Sequence, residues 1–250
     1  MLQKSLVWKF IYWARDLRSS KVFKALKNYC IGDVLDIGGW DFYLTAKKRR
    51  INFNSWTTLE ADERKDPNIK DAKYKFIHGD GCNMLFKDNQ FNTVLNIQVL
   101  EHVFDPIKMI SEIARVLKPG GYGIFLIPQT GAIHHTPYHF YNFTRFWIEE
   151  VMKKTNLKII ELKPLGGFWS TIASRLLYFF PQSIQYEGLS IKEYKRNFLF
   201  YMLYPFMVLY IIINIPICLI FSLGDLSEEP NNHFVLVRKK QIISKNKHIS

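Results

Sequence analysis

The chain predicts an α/β fold: a doubly wound, mostly parallel sheet with an apolar helical insert. Three observations carry this. Short apolar runs alternate with segments of helical spacing from residue 33 to residue 164. Several of those runs end in an acid or a glycine. The stretch Asp33-Val34-Leu35-Asp36-Ile37-Gly38-Gly39 reads as a buried strand entering a turn whose missing Cβ atoms let a ligand approach the backbone.

The elements follow in order. Residues 34–37 form a first strand and 42–50 a helix. Residues 55–59 form a second strand ending at Glu60, and 75–78 a third ending at Gly79-Asp80. Residues 91–97 are a fourth strand. Ile107, Ile110, Ile113, Ala114 and Leu117 share one helical face, so 105–117 is a helix, expected to end at Lys118-Pro119-Gly120-Gly121. A fifth strand spans 122–127, a helix 146–155 and a sixth strand 157–164. Alternation of this kind implies right-handed crossovers, with ligands beyond the carboxyl ends of the strands. Asp36, Glu60, Asp80 and Asn96 are expected there.

Composition narrows the class. At 250 residues and 48% hydrophobic, the chain can build one sizeable core. The net charge of +12 favours an anionic partner, and an anionic membrane surface is the expectation. Cys30, Cys82 and Cys218 are widely spaced, which predicts free thiols in a reducing compartment. Leu6, Phe10, Trp13 and Leu17 fall on one helical face, interrupted by Lys4, Lys9 and Arg15. Residues 1–30 therefore read as an amphipathic helical segment and not a secretory signal.

The motifs together resemble a class I S-adenosylmethionine-dependent methyltransferase of the small-molecule type. They are Val34-Leu35-Asp36-Ile37-Gly38-Gly39, Leu59-Glu60, His78-Gly79-Asp80, Phe91 to Asn96, Val99-Leu100-Glu101-His102-Val103, and Ala114-Arg115-Val116-Leu117-Lys118-Pro119-Gly120-Gly121. The resemblance implies a Rossmann-like domain over 31–170 and 232–240, with S-adenosyl-L-methionine as cofactor. It places Asp36, Gly38 and Gly39 by the methionine end of the cofactor. It gives Glu60 the ribose hydroxyls, with Asp62 as the alternative, and Asp80 and Gly81 the adenine. Asn96 to Val99 would lie beneath the reacting methyl, and Glu101-His102 would support the fold. Trp40 and Phe42 stand where the family usually has glycines, and Asn96 where it has an acid. These departures motivate a competing reading, a catalytically inactive scaffold. An oxidoreductase is disfavoured because Gly38-Gly39-Trp40-Asp41-Phe42 is not a G-x-G-x-x-G loop.

Residues 127–144 occupy the place where this family's acceptor enters, and resemble a subgroup found with glycan and cell-surface biosynthesis. His134, Pro137, Tyr141, Phe143 and Thr144 match that pattern; His139 and Asn142 replace its acid and its arginine. Methyl transfer to a hydroxyl needs a base, for which His134 and then His139 are the candidates. No metal is expected. Pro137 separates His135 from His139, and the loop offers no Cys or acid to complete a set. The expected acceptor is a small molecule, a glycan or a lipid-linked intermediate. No nucleic-acid partner is expected, because Asn96-Ile97-Gln98-Val99 is not an amino-methylating Asp/Asn-Pro-Pro-aromatic box.

Residues 171–231 form the insert. Residues 198–223 carry no charge and could span a bilayer. Residues 232–240 read as an antiparallel last strand ending in a basic tail, so both ends of the apolar segment return to the sheet. Lys192, Lys195 and Arg196 precede it and Arg238, Lys239 and Lys240 follow, which places both flanks on the cytoplasmic side. The expectation is a re-entrant or interfacial hairpin bent between Pro205 and Pro216, on a cytoplasmic, membrane-associated protein.

Overall fold

The computed structural model describes residues 20–241. The expected helix over residues 1–19 lies outside them. Helix α1 (Ser20–Tyr29) leads to β1 (Asp33–Ile37), α2 (Phe42–Lys48), β2 (Ser55–Glu60), β3 (Tyr74–His78) and β4 (Phe91–Ile97). Then come α3 (Pro106–Val116), β5 (Leu117–Pro128), α4 (Arg145–Lys154) and β6 (Leu157–Leu165). Two long helices follow, α5 (Phe168–Ser183) and α6 (Phe198–Phe221), before β7 (Asn232–Lys239).

The seven strands lie in the order β3-β2-β1-β4-β5-β7-β6. The first five are parallel, and β7 enters antiparallel between β5 and β6. Strand order reverses between β1 and β4, which opens a crevice at their carboxyl ends. One face is covered by α3 and α4 through Met109, Ile110, Ile113, Ile148 and Val151. The other is covered by α1 and α2 through Val22, Leu26, Tyr43 and Ala46. Helices on both faces confirm the doubly wound α/β expectation.

Local chemistry sets the boundaries. Pro106 opens α3, where a proline's missing N–H costs nothing, and the Asp105 side chain accepts the Lys108 N–H at 3.0 Å. Lys118-Pro119-Gly120-Gly121 does not form the expected separate helix end. Helix α3 stops at Val116 and β5 begins at once. Leu117 pairs with Phe91, but the next pair is Tyr122 with Thr93, so these residues bulge out of the ladder. Gly120 has φ +79°, and a Cβ on Gly121 would come 2.8 Å from the Asn92 carbonyl oxygen.

The insert differs from expectation. Residues 198–221 are one continuous helix with no bend into a hairpin. A proline removes one helical hydrogen bond, but reversing the chain needs turn residues. Those lie earlier, where Gln185 (φ 52°) and Gly188 (φ 75°) turn the chain between α5 and α6. The hairpin is therefore made by the two helices together. Ser183 Oγ lies 3.0 Å from Tyr204 Oη at one end. At the other, the Asp225 carboxylate accepts the Trp169 and Ser170 N–H groups. The turn is also tied to the domain, since the Thr136 N–H donates to the Gly188 carbonyl.

The basic residues after the insert do not flank α6. Arg238 pairs with Tyr122 at the opposite end of the sheet, and Lys239 Nζ donates to the Arg115 and Leu117 carbonyls. Asp225, Glu228 and Glu229 follow the helix directly.

Candidate active site

Strand pairing decides which residues share the crevice. Asp36 pairs with Thr58, and Glu60 lies two residues on, so all three project from one face of the sheet. Asp36 is 1% exposed and neither of its carboxylate oxygens has a hydrogen-bond partner; Glu60 Oε2 and Thr58 Oγ1 are likewise buried and unpartnered. Burial pushes the Asp36 carboxyl up to about 8, opposed by the Trp56 indole and reinforced by the nearby Glu60. Unsatisfied polar groups of this density are costly in a free fold and indicate a place for ligand donors.

The turn above them is built for close approach. Gly38 has φ +68°, and a Cβ there would come 2.7 Å from Val99. A Cβ on Gly39 would overlap the Asp36 carboxylate, at 1.9 Å from Oδ2. Trp40, next in the turn, is 54% exposed and stands outside the buried core.

Of the two ribose candidates, Asp62 is already engaged. Its oxygens accept Arg64 Nε and Nη2, each at 2.8 Å, and the Arg64 N–H. Glu60 accepts only weakly through Oε1, from the Ala61 N–H at 3.2 Å and Lys65 Nζ at 3.4 Å, leaving Oε2 open. Asp80 is exposed at the end of β3, where Oδ1 accepts the Cys82 N–H at 2.7 Å. Gly81 is buried, and a Cβ there would collide with Met109 Cε.

Asn96 does not join this group. It pairs with Ile37, not Asp36, so it faces the opposite side of the sheet and donates to Met109 Sδ. Asn96 thus stands at the carboxyl end of β4, as expected, but with its side chain buried on the face opposite Asp36.

Beyond β4 a short 3-10 turn (Leu100–His102) meets the loop of residues 131–144. The Phe140 N–H donates to the Glu101 carbonyl at 2.8 Å, and Asn142 exchanges two hydrogen bonds with Gly131, closing the loop. His102, His134, His135 and His139 cluster there, with ring centroids of His134 and His139 4.6 Å apart. Burial holds the His102 imidazole down at about 4, and lowers His139 and His135. His134 Nδ1 faces the Ala132 carbonyl at 2.8 Å; a carbonyl can only accept, so the proton sits on Nδ1 and the lone pair on Nε2. His139 is the reverse, because its Nδ1 accepts the His134 N–H. The expectation that no acid completes a set here is corrected. Glu101, far from the loop in sequence, places Oε1 3.9 Å from His134 Nε2. The sequence marks Glu101 and His102 as a motif pair expected to support the fold; what it does not show is that the 131–144 loop returns to them, because that contact is made only in the folded chain.

Comparison with known proteins agrees with this geometry. A family model described as a methyltransferase domain matches residues 48–125, from the end of α2 into β5. A protein of Mycolicibacterium smegmatis described as a probable S-adenosylmethionine-dependent methyltransferase is 32% identical over 135 residues, 50% of this chain and 48% of its own length. A ubiquinone biosynthesis O-methyltransferase of Dinoroseobacter shibae is 28% identical over 118 residues, 44% of each chain. The chain thus matches about half the length of these relatives. The fold is also that of Haemonchus contortus phosphoethanolamine N-methyltransferase 2 in complex with S-adenosyl-L-methionine. That structure has a TM-score of 0.54 and 20% identity, covering 92% of this chain and 53% of that one. Strand order, crevice and matched segment converge: residues 48–125 match a methyltransferase domain, and the relatives and the fold support a class I S-adenosylmethionine-dependent methyltransferase.

Proposed function

We propose that this chain transfers a methyl group from S-adenosyl-L-methionine to a hydroxyl of a small molecule, glycan or lipid-linked intermediate, at the cytoplasmic face of a membrane. The observation that carries the transferase reading is the pair of buried carboxylates, Asp36 and Glu60, with open oxygens beneath the Gly38-Gly39 turn. Bound there, the cofactor supplies an electrophilic methyl on a sulfonium.

The chain's residues do the rest. Glu60 Oε2 accepts from the ribose diol, and ionised Asp36 with the Gly38-Gly39 backbone holds the cationic methionine end. Asp80 and Gly81 bracket the adenine. The 131–144 loop orients the acceptor and excludes water. The lone pair on His134 Nε2 takes the hydroxyl proton, and His139, with its proton on Nε2, donates to the acceptor oxygen. Asn96 supports this floor from below by fixing Met109.

The membrane reading rests on α6. Among the described residues it is the one helix long and apolar enough to cross a bilayer. Most of it is uncovered, with Phe206 70% and Ile212 59% exposed, and an apolar groove of about 510 Å³ runs between it and α5 past Phe179, Leu203 and Met207. The turn before α6 is tied to the domain by Thr136, and the chain after it by Gln129 Nε2 and Thr130 Oγ1, which donate to the Glu228 and Pro230 carbonyls; this favours a helix lying in the interface over a single crossing.

Two experiments test this. Cell extract incubated with the chain and a labelled methyl donor is expected to yield labelled lipid or glycan. Label confined to protein or nucleic acid would remove the acceptor class. Leu209→Glu with Ile213→Glu, both on the exposed side, should release the chain from carbonate-washed membranes. Equal retention of both forms would remove the membrane role.

A further inference from the structure

Glu101 has a fully buried side chain, and neither of its carboxylate oxygens has a hydrogen-bond partner. A lone ionised carboxylate in such a place is expensive unless a cation neutralises it. No lysine or arginine pairs with it among the described residues. What faces it instead is two imidazole nitrogens, His102 Nε2 and His134 Nε2, each 3.9 Å from Oε1.

The outer bonds of those rings decide what they offer. His102 Nδ1 lies 2.6 Å from the Tyr138 carbonyl and His134 Nδ1 lies 2.8 Å from the Ala132 carbonyl. Both carbonyls can only accept, so each ring carries its proton on Nδ1. Both Nε2 lone pairs therefore point toward a carboxyl group that, once ionised, has no donor facing it. With the carboxylate ionised and no cation between them, this is a repulsive arrangement. It is the arrangement that metal-binding histidines adopt, with the far nitrogen held by a backbone carbonyl.

We propose that Glu101, His102 and His134 form a site for a divalent first-row cation of the Zn²⁺ or Fe²⁺ class. The three ligand atoms lie within 4.8 Å of one another. Two ligands about 2.1 Å from a shared tetrahedral ion stand about 3.4 Å apart, so small side-chain rotations close the set. Two imidazoles select against Mg²⁺ and Ca²⁺, which prefer oxygen. Three protein ligands leave at least one position open. The His102 and His134 side chains are 20% and 18% exposed, so the site is reachable from solvent. The site refines the base assigned above. A hydroxyl bound to the ion would lose its proton to solvent water more readily, and His134 would then serve as ligand in place of base. The ion also staples the 131–144 loop to the end of β4.

The test uses the full chain loaded with Zn²⁺ and desalted, with metal measured by plasma mass spectrometry. About one zinc per chain is expected, and Co²⁺ in its place should give visible d–d absorption. Glu101→Gln and His134→Ala should each lower metal affinity at least about tenfold. His135→Asn, at a position with φ 52° that asparagine tolerates, should keep it. Substoichiometric zinc in the unmodified chain, or undiminished affinity in Glu101→Gln, overturns the site. If a variant misfolds, imidazole ¹⁵N spectra of the unmodified chain decide the matter: Zn²⁺ must shift Nε2 of both His102 and His134. Calorimetry with S-adenosylmethionine on the same samples reads the transferase assignment separately.

Discussion

Oδ1 of Asp225 accepts the backbone N–H of Trp169 at 2.6 Å, so the residue just past α6 caps the start of α5. The other oxygen takes the Ser170 N–H at 3.0 Å. Asp225 therefore closes the helical hairpin at its sheet end. Asp225→Ala should cost about 1 to 2 kcal/mol of stability, read by urea unfolding, and should raise amide exchange at the start of α5 first.

Asp36 gives the site a pH signature. Its carboxyl is held up at about 8 in the folded chain against an ordinary value of 3.8. The folded state thus binds more protons between those values, and its stability is greatest below pH 4 as far as this group is concerned. Unfolding free energy should fall by about 1.4 kcal/mol per pH unit from this group as pH rises toward 8. Asp36→Asn should remove that slope.

The same group should couple cofactor binding to proton release. A cationic ligand favours the ionised carboxylate, so S-adenosylmethionine affinity should rise with pH below 8, by up to about tenfold per unit. Calorimetry in two buffers of different ionisation enthalpy counts the proton. No release, or the same release in Asp36→Asn, would move the sulfonium contact elsewhere.

Glu60 and Asp62 make a paired comparison. Glu60→Ala should weaken cofactor binding by about 1 to 3 kcal/mol, because it removes the open acceptor. Asp62→Ala breaks only a surface pair with Arg64 and should change binding by less than about 0.5 kcal/mol. The reverse order would reassign the ribose contact.

Arg115 anchors the loop before β4. It donates to Glu112, to Asp88 and to the Met84 and Phe86 carbonyls. Arg115→Ala should cost about 2 to 4 kcal/mol, visible as a lower thermal midpoint.

The parts legible in the sequence were those whose cause is local. β1, β2 and β4 end where apolar runs meet Gly38, Glu60 and Gln98, and α3 begins at its own cap, Asp105. What was not legible depends on register. Asn96 and Asp36 both look like strand-tip residues, but a one-residue offset in pairing sends them to opposite faces. Pro205 and Pro216 read as a bend, although neighbouring apolar residues pack on α5 and carry the helix through. Glu101 and His134 meet only because β4 and the post-β5 loop are adjacent in space.

The position of β7 has a consequence for how the molecule is made. This strand lies between β5 and β6, yet it is translated after both and after the whole helical hairpin. Until it slots in, β5 and β6 have no shared neighbour. The two halves of the sheet can therefore be joined only after the entire helical hairpin has emerged, so the hairpin must fold back without trapping the gap that its own continuation has to fill.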